Sequence, residues 1–256
     1  MSKSDNSLYI RSDSESPIVI ILYVDDLVIG IEHLFEIHRV KSLISDKFEI
    51  TNMKELHYFL GIEVIWSPAG IMISQRHCIL NLWYKFGMIE CKSVATPLDR
   101  NLKLDADSGT TTCEPTQYRQ LIGSVIYLTI TRPDLSYPVG LLSQFMQTPR
   151  DIHLDCAKRV LRYVSGTMDC GILYKTAMPI RLEGYTDANW ADYKADRRST
   201  FGFVFSLGSG AISMSSKKQP TVTLSSTEAE YRGATVAACE VVWLKRILKD
   251  LGVPIK

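Results

Sequence analysis

The chain has 256 residues, 46% of them apolar and 22% charged, with a formal net charge of +1. That length holds one large domain or two to three small ones, and the composition excludes a disordered, collagen-like or strongly basic chain. No apolar run reaches membrane-spanning length, and the N-terminus lacks the apolar core of a secretory signal.

A weak strand is read at Leu8–Ile10, followed by a polar turn and the apolar run Ile18–Val24. Seven consecutive β-branched, aliphatic or aromatic residues predict a strand buried on both faces. Asp25 and Asp26 interrupt the run before a short second strand, Leu27–Ile29, so they fall at a hairpin turn. Leu34, Ile37, Val40 and Ile44 recur at helical spacing and predict an amphipathic helix over 32–47. Asn52 and Glu55 have capping-box spacing and suggest a short helical turn. A hairpin follows, with strands over 58–66 and 71–74 about the turn 67–70. A helix carries Ile79, Leu82, Trp83 and Phe86.

Residues 96–116 are rich in turn formers and poor in large apolar residues, and read as a linker. Three helices come next, over 117–130, from Pro133 to Met146, and over 151–165. The last third changes character, with short strands at 171–174, 181–186, 202–206, 211–216 and 221–224. A long helix over 226–250 opens with the capping box Ser225 to Glu228 and stops at Gly252 and Pro254.

Two carboxylate groupings carry chemistry. Ionised carboxylates beside a core are costly unless compensated, and Mg²⁺ accepts aspartate oxygens, usually shared with substrate phosphates. Asp25 and Asp26 therefore suggest a metal site. The other reading is a polar turn, which Asp-Asp suits poorly, because the common two-residue turns need positive φ. Asp187 ends a strand and Glu230 lies in the first turns of the long helix. Two such oxygens form half of a two-metal phosphodiester site, although capping and helix-dipole roles also place acids there.

Tyr23-Val24-Asp25-Asp26 resembles the catalytic hairpin of reverse transcriptases. Gly184–Ala191, Asp196–Phe205, Ser216–Pro220 and Leu224–Tyr231 are similar to the ribonuclease H domain of copia-type retrotransposon polyproteins. Tyr58–Val64, Thr131–Asp134 and Lys158–Tyr163 agree with the same family. The resemblance implies an α+β chain holding the C-terminal part of a reverse-transcriptase palm with a helical thumb and connection, then the first half of a ribonuclease H-like α/β fold. Its divisions are palm and thumb over 1–95, linker and helical connection over 96–178, and an incomplete ribonuclease H-like domain over 179–256. It makes Asp25, Asp26, Asp187 and Glu230 catalytic Mg²⁺ ligands. Glu230 is chosen over Glu228, which suits the cap. The hairpin at 59–74 becomes a primer-gripping element, and an RNA template and an RNA–DNA hybrid become the partners. The family pattern also has a third polymerase aspartate on an earlier strand and two further ribonuclease H ligands after the long helix. No segment here matches them, so each site is expected to hold two ligands, which points to a catalytically inactive remnant or a nucleic-acid- or protein-binding module as the alternative function.

Lys194, Arg197, Arg198, Lys217 and Lys218 could form a basic lip near Asp187 that contacts nucleic acid. Lys158, Arg159 and Arg162 lie on the polar face of the 151–165 helix and either grip phosphates or form a solvated face with an Asp155–Arg159 pair. The five histidines show no ligand spacing, and Trp83 and Trp243 sit on apolar stripes. Residues 151–256 hold 15 Lys and Arg against 11 Asp and Glu, a mild basic excess. Six cysteines form no Cys-x-x-Cys pair, which argues against a zinc site and a dense disulfide framework and fits free thiols in a reducing compartment, the cytoplasm or nucleus.

Overall fold

The computed structural model describes all residues except 12–16, 32–33, 100–101, 103, 192–195 and 254–256. The chain divides into two compact units, Met1–Phe59 with Ala238–Lys256, and Leu60–Ala237. The long helix contributes its first half to the second unit and its second half to the first. Mixed helices and sheets make the chain α+β.

In the first unit, β1 (Leu8–Arg11), β2 (Ile18–Tyr23) and β3 (Asp26–Ile31) form an antiparallel sheet with β2 in the centre. Helix α1 (Leu34–Ser45) packs against β3. The expected burial of β2 on both faces is not found. Ile18 is 4% exposed, but exposure rises along the strand to 51% at Tyr23. A sheet of three strands has too little cover to bury its distal half, so the apolar run reflects β-propensity more than burial. The turn read at Asn52–Glu55 is also not helical. Asn52 uses its side-chain oxygen to accept from the Lys54 N–H at 3.0 Å and from Lys41 Nζ at 2.9 Å. That side-chain-to-backbone bond offers the chain an alternative to a helix. Strand β4 (Tyr58–Phe59) ends this stretch.

The second unit opens with the hairpin of β5 (Ile62–Ser67) and β6 (Gly70–Ser74), which β7 (Ile172–Lys175) extends. Gly70 has φ +142°, and a side chain there would run into the Tyr174 carbonyl. Helices α2 (Arg76–Lys85), α3 (Pro115–Leu128), α4 (Ser136–Leu142) and α5 (Asp151–Gly166) enclose the main core. Tyr118, Leu121, Ile122, Val125 and Leu128 recur along one face of α3 and are all buried, as their spacing predicts. Each contributes about 1.5–3 kcal/mol by leaving water. The helix read over 133–146 is instead a 3₁₀ turn at Pro133–Leu135, then α4, then a second 3₁₀ turn at Ser143–Phe145. Pro138 falls in the first turn of α4, where its missing N–H costs no helical bond.

Strands β8 (Leu182–Asn189), β9 (Thr200–Leu207) and β10 (Gly210–Lys218) make an antiparallel sheet in the order β10-β9-β8, and α6 spans Ser226–Asp250. The strand read at 221–224 is absent. Thr223 is buried and bonds through its hydroxyl to Ser199 Oγ at 2.8 Å, while its carbonyl accepts from Trp190 Nε1 at 3.0 Å. All six cysteines are free thiols. No described helix is long and apolar enough to cross a membrane.

Candidate functional site

Tyr23 pairs with Asp26, which leaves Val24 and Asp25 as a two-residue hairpin loop. Of the four residues in that turn, Val24 alone has positive φ, +52°. A β-branched side chain in the left-handed region is a genuine outlier and stores about 1–3 kcal/mol. Such turns ordinarily place glycine at this position. Val24 is 79% exposed, so its strain is not repaid by burial. The aspartates therefore divide between two roles. Asp25 occupies the loop and Asp26 begins β3. Both are exposed and neither forms an ion pair or side-chain hydrogen bond among the described residues.

The second grouping lies in the Leu60–Ala237 unit. Asp187 is exposed in β8 opposite Gly202, and its Oδ1 accepts from the Ala188 N–H at 2.9 Å. Glu230 is exposed in the second turn of α6, and its side chain makes no hydrogen bond or ion pair among the described residues. Glu228 serves the cap, reaching the N–H one residue before the Ser225 N-cap. Ser225 Oγ accepts from the Glu228 N–H at 3.1 Å, Glu228 accepts from the Leu224 N–H at 2.8 Å, and Arg232 donates to Glu228 at 2.9 Å. The Leu224 N–H and the Arg232 guanidinium hold the Glu228 carboxyl below the usual range. Glu228 is thus occupied and Glu230 is available.

Gly233, one turn beyond Glu230, sets the approach of α6 to the sheet. A Cβ at Gly233 would lie 3.2 Å from Phe201 Cβ and 3.7 Å from Ala188 Cβ. The contact seats the helix on β8 and β9 immediately beside Asp187. Buried Gln219 ties the same end together, donating from Nε2 to the Ala229 carbonyl at 2.8 Å. The structure thus brings together the segments bearing Asp187 and Glu230, whereas Asp25 and Asp26 belong to the other unit.

Among the described residues no three His, Cys, Asp or Glu side chains converge to hold a metal ion. Mg²⁺ takes six oxygens and commonly draws several from water and substrate phosphates. Two exposed carboxylates such as Asp25 and Asp26 are too few for a closed protein cage, and only an open site of that kind could use them.

The basic lip is thinner than the sequence suggests. Lys218 Nζ lies 2.6 Å and Arg198 Nε 3.6 Å from the Asp196 carboxylate, so both cations are partly spent on one acid. Asp196 is pushed up by its burial, but the bonds from Lys218 and the Arg198 N–H outweigh this and hold it below the usual range. Arg197 and Lys217 are exposed, and Lys194 lies outside the described residues, as does His33. On α5, Arg159 donates to Thr96 Oγ1 at 3.0 Å and Arg162 to the Lys92 carbonyl at 2.9 Å. No ion pair joins Arg159 to Asp155 among the described residues, so these cations fasten the 92–96 segment. Trp243 is 41% exposed and donates to the Ser4 carbonyl at 3.3 Å, so it is not a core residue.

The network behind Thr131-Arg132-Pro133-Asp134 emerges only from the tertiary structure. Arg132, 2% exposed, donates to both Asp134 oxygens at 3.0 and 2.7 Å and to the carbonyl and hydroxyl of Thr167 at 2.9 and 2.8 Å. Tyr163 donates to Asp134 at 2.8 Å, and its ring lies 5.5 Å from the guanidinium. The Arg-x-Asp spacing was the available signal.

Residues 1–100 match the family model of reverse transcriptases (RNA-dependent DNA polymerases). The chain is 43% identical over 252 residues to the retrovirus-related Pol polyprotein from transposon RE1 of Arabidopsis thaliana, covering 98% of this chain and 17% of the polyprotein. It is 43% identical over 250 residues to the corresponding polyprotein from transposon RE2 of the same plant, again 98% and 17%. An uncharacterized mitochondrial protein of Arabidopsis thaliana is 37% identical over 225 residues, covering 88% of this chain and 93% of that protein. The chain therefore spans 17% of the length of the two Pol polyproteins. No solved structure matches it.

Proposed function

The chain belongs to the family of copia-type retrotransposon Pol polyproteins, and on that premise we propose that it carries the metal-binding hairpin of an RNA-directed DNA polymerase and half of a ribonuclease H site. The observation that supports this reading best is the Tyr23–Asp26 turn, which presents two uncommitted carboxylates on a strained loop within the residues that match reverse transcriptases. Asp25 and Asp26 act as ligands of a divalent cation, Mg²⁺ in the cell. Such an ion, when bound, stabilises the attacking and leaving oxygens of nucleotidyl transfer. The hairpin holds the backbone of both residues at the end of a paired ladder, which keeps the two carboxylates in one place for a substrate-borne ion. Asp187 and Glu230 are the corresponding ligands for cleavage of the RNA strand in an RNA–DNA hybrid. The strands and helices that carry the two groups are palm, thumb and ribonuclease H elements, and the β5–β6 hairpin grips the primer.

Primer extension on an RNA template with Mg²⁺ or Mn²⁺ tests the reading. Product that disappears in Asp25→Asn supports it, and product indifferent to Asp25→Asn contradicts it.

The two-carboxylate count favours a second reading, a non-catalytic nucleic-acid-binding module. Exposed Arg197 and Lys217 supply its cations. Salt-dependent binding of an RNA–DNA hybrid, weakened by Arg197→Ala with Lys217→Ala, would distinguish it, since phosphate contacts release counterions.

A further inference from the structure

We propose that His153 is an acid-sensitive latch that fastens residues 104–113 to the start of α5 and frees them when its ring takes a second proton. This stretch contains no helix or extended strand, only the isolated bridge from Thr112 to Arg150. It is nevertheless held along its length. Leu104 is buried in the main core. Arg150 donates to Asp107 at 2.9 Å and to the Gly109 carbonyl at 3.3 Å. Asp151 accepts from the N–H and hydroxyl of Thr110 at 3.2 and 3.0 Å. The Asp151 N–H donates to the Thr111 carbonyl at 2.9 Å, and the Cys113 N–H to the Pro149 carbonyl at 3.1 Å.

His153 closes the inner end of this strap. It is fully buried and stacked on Phe145, with ring centres 3.9 Å apart and planes 10° apart. Its Nδ1 accepts from the Arg150 N–H at 3.1 Å, so that nitrogen carries no proton. Nε2 therefore bears the hydrogen and donates to the Asp105 carbonyl at 3.0 Å. Only one neutral tautomer satisfies both nitrogens. A second proton on Nδ1 would face the Arg150 N–H donor to donor, and would leave a cation in a buried site.

The surrounding charges work the same way. The Arg150 guanidinium and the positive N-terminal end of α5 oppose a ring cation. Asp151 favours one, but its oxygens are taken by the Thr110 N–H and hydroxyl and the Ile152 N–H. Asp107 is 94% exposed and bound to Arg150, Asp105 presents only its carbonyl, and Phe145 brings no charge. Burial is the main cause holding the imidazole below its ordinary range. The ring accepts its proton when the strap lets go.

The test is amide hydrogen exchange on the full chain at about pH 7.5 and about pH 5, corrected for intrinsic rates. The Thr110, Cys113 and Asp151 amides should lose protection at least roughly tenfold at the lower pH, the equivalent of one unit of proton linkage. The α3 and α5 core amides, Leu121–Val125 and Val160–Val164, should hold. Unchanged strap protection would overturn the proposal, as would equal loss throughout α3 and α5. His153→Phe keeps the stack and removes both ring nitrogens, so its strap should be open at both pH values. If that variant retains the acid step, the latch is not His153. Arg150→Ala, which keeps the imidazole, should weaken the strap yet retain the step, and a flat response there would also count against it.

Discussion

Replacing Arg132 by Met removes the guanidinium from a buried charged site in the second unit. The residue is 2% exposed and its side chain makes four hydrogen bonds, two to Asp134 and two to Thr167. Burial pushes Asp134 up, but Arg132 and the Tyr163 hydroxyl outweigh it and hold the carboxyl below the usual range. Burial likewise works against the Arg132 charge, and the Asp134 bond reverses it. Breaking a buried pair from one side costs about 3–5 kcal/mol. Asp134 keeps Tyr163 and is 39% exposed, so the lower end, about 3 kcal/mol, is the expected loss. At roughly 2–4 °C per kcal/mol for a domain of this size, the melting temperature should fall by about 6–12 °C. Asp134→Asn should cost nearly as much, because it leaves the deeper cation with neutral partners. Calorimetry of both single variants and the double variant would show a coupling above about 1 kcal/mol. Additive losses, or a shift below about 2 °C, would refute the network.

Three further outcomes follow from the same geometry. Val24→Gly should be neutral or stabilising by up to about 1 kcal/mol, because relief of the left-handed strain offsets the entropy of glycine, whereas Val24→Ile keeps the strain; chemical denaturation separates the two. Gly233→Val should destabilise by about 1–3 kcal/mol, since added carbons meet Phe201 and Ala188, and the exchange of α6 amides should rise with it. Acid should unfold the second unit in two steps. The folded His153 resists a proton that the unfolded chain accepts, so its contribution is present above about pH 6.5 and is lost as the pH falls below that value. Asp134 is depressed, so its contribution is present above about pH 4 and fades further into acid. Urea midpoints against pH should show both losses, and His153→Phe should remove the first.

Element types were largely legible because period and punctuation agreed. The α3 stripe from Leu121 to Leu128 is buried as its spacing requires, and α6 begins and ends where the Ser225 cap and Gly252 place it. The failures were tertiary. Nothing local told that β2 would stand half in solvent, because β-branched runs look alike in buried and covered-on-one-side sheets. The helix over 133–146 broke at its ends because apolar spacing does not encode where one turn tightens to 3₁₀. At the site, Asp25 and Asp26 were visible as charges inside an apolar run. Their division between loop and strand was not, since it depends on Val24 taking a positive φ that valine ordinarily avoids. Lys218 and Arg198 read as free cations because Asp196 meets Lys218 only once β10 lies beside the segment that leads into β9.

The proposed polymerase role requires Asp25 and Asp26 to be metal ligands rather than polar turn residues. Manganese titration followed by amide line broadening in a ¹⁵N-labelled chain tests this directly. Broadening at low metal centred on residues 24–27, abolished by Asp25→Asn with Asp26→Asn while the rest of the spectrum is unchanged, is the predicted result. Broadening that survives the double substitution, or never reaches the hairpin, would contradict it.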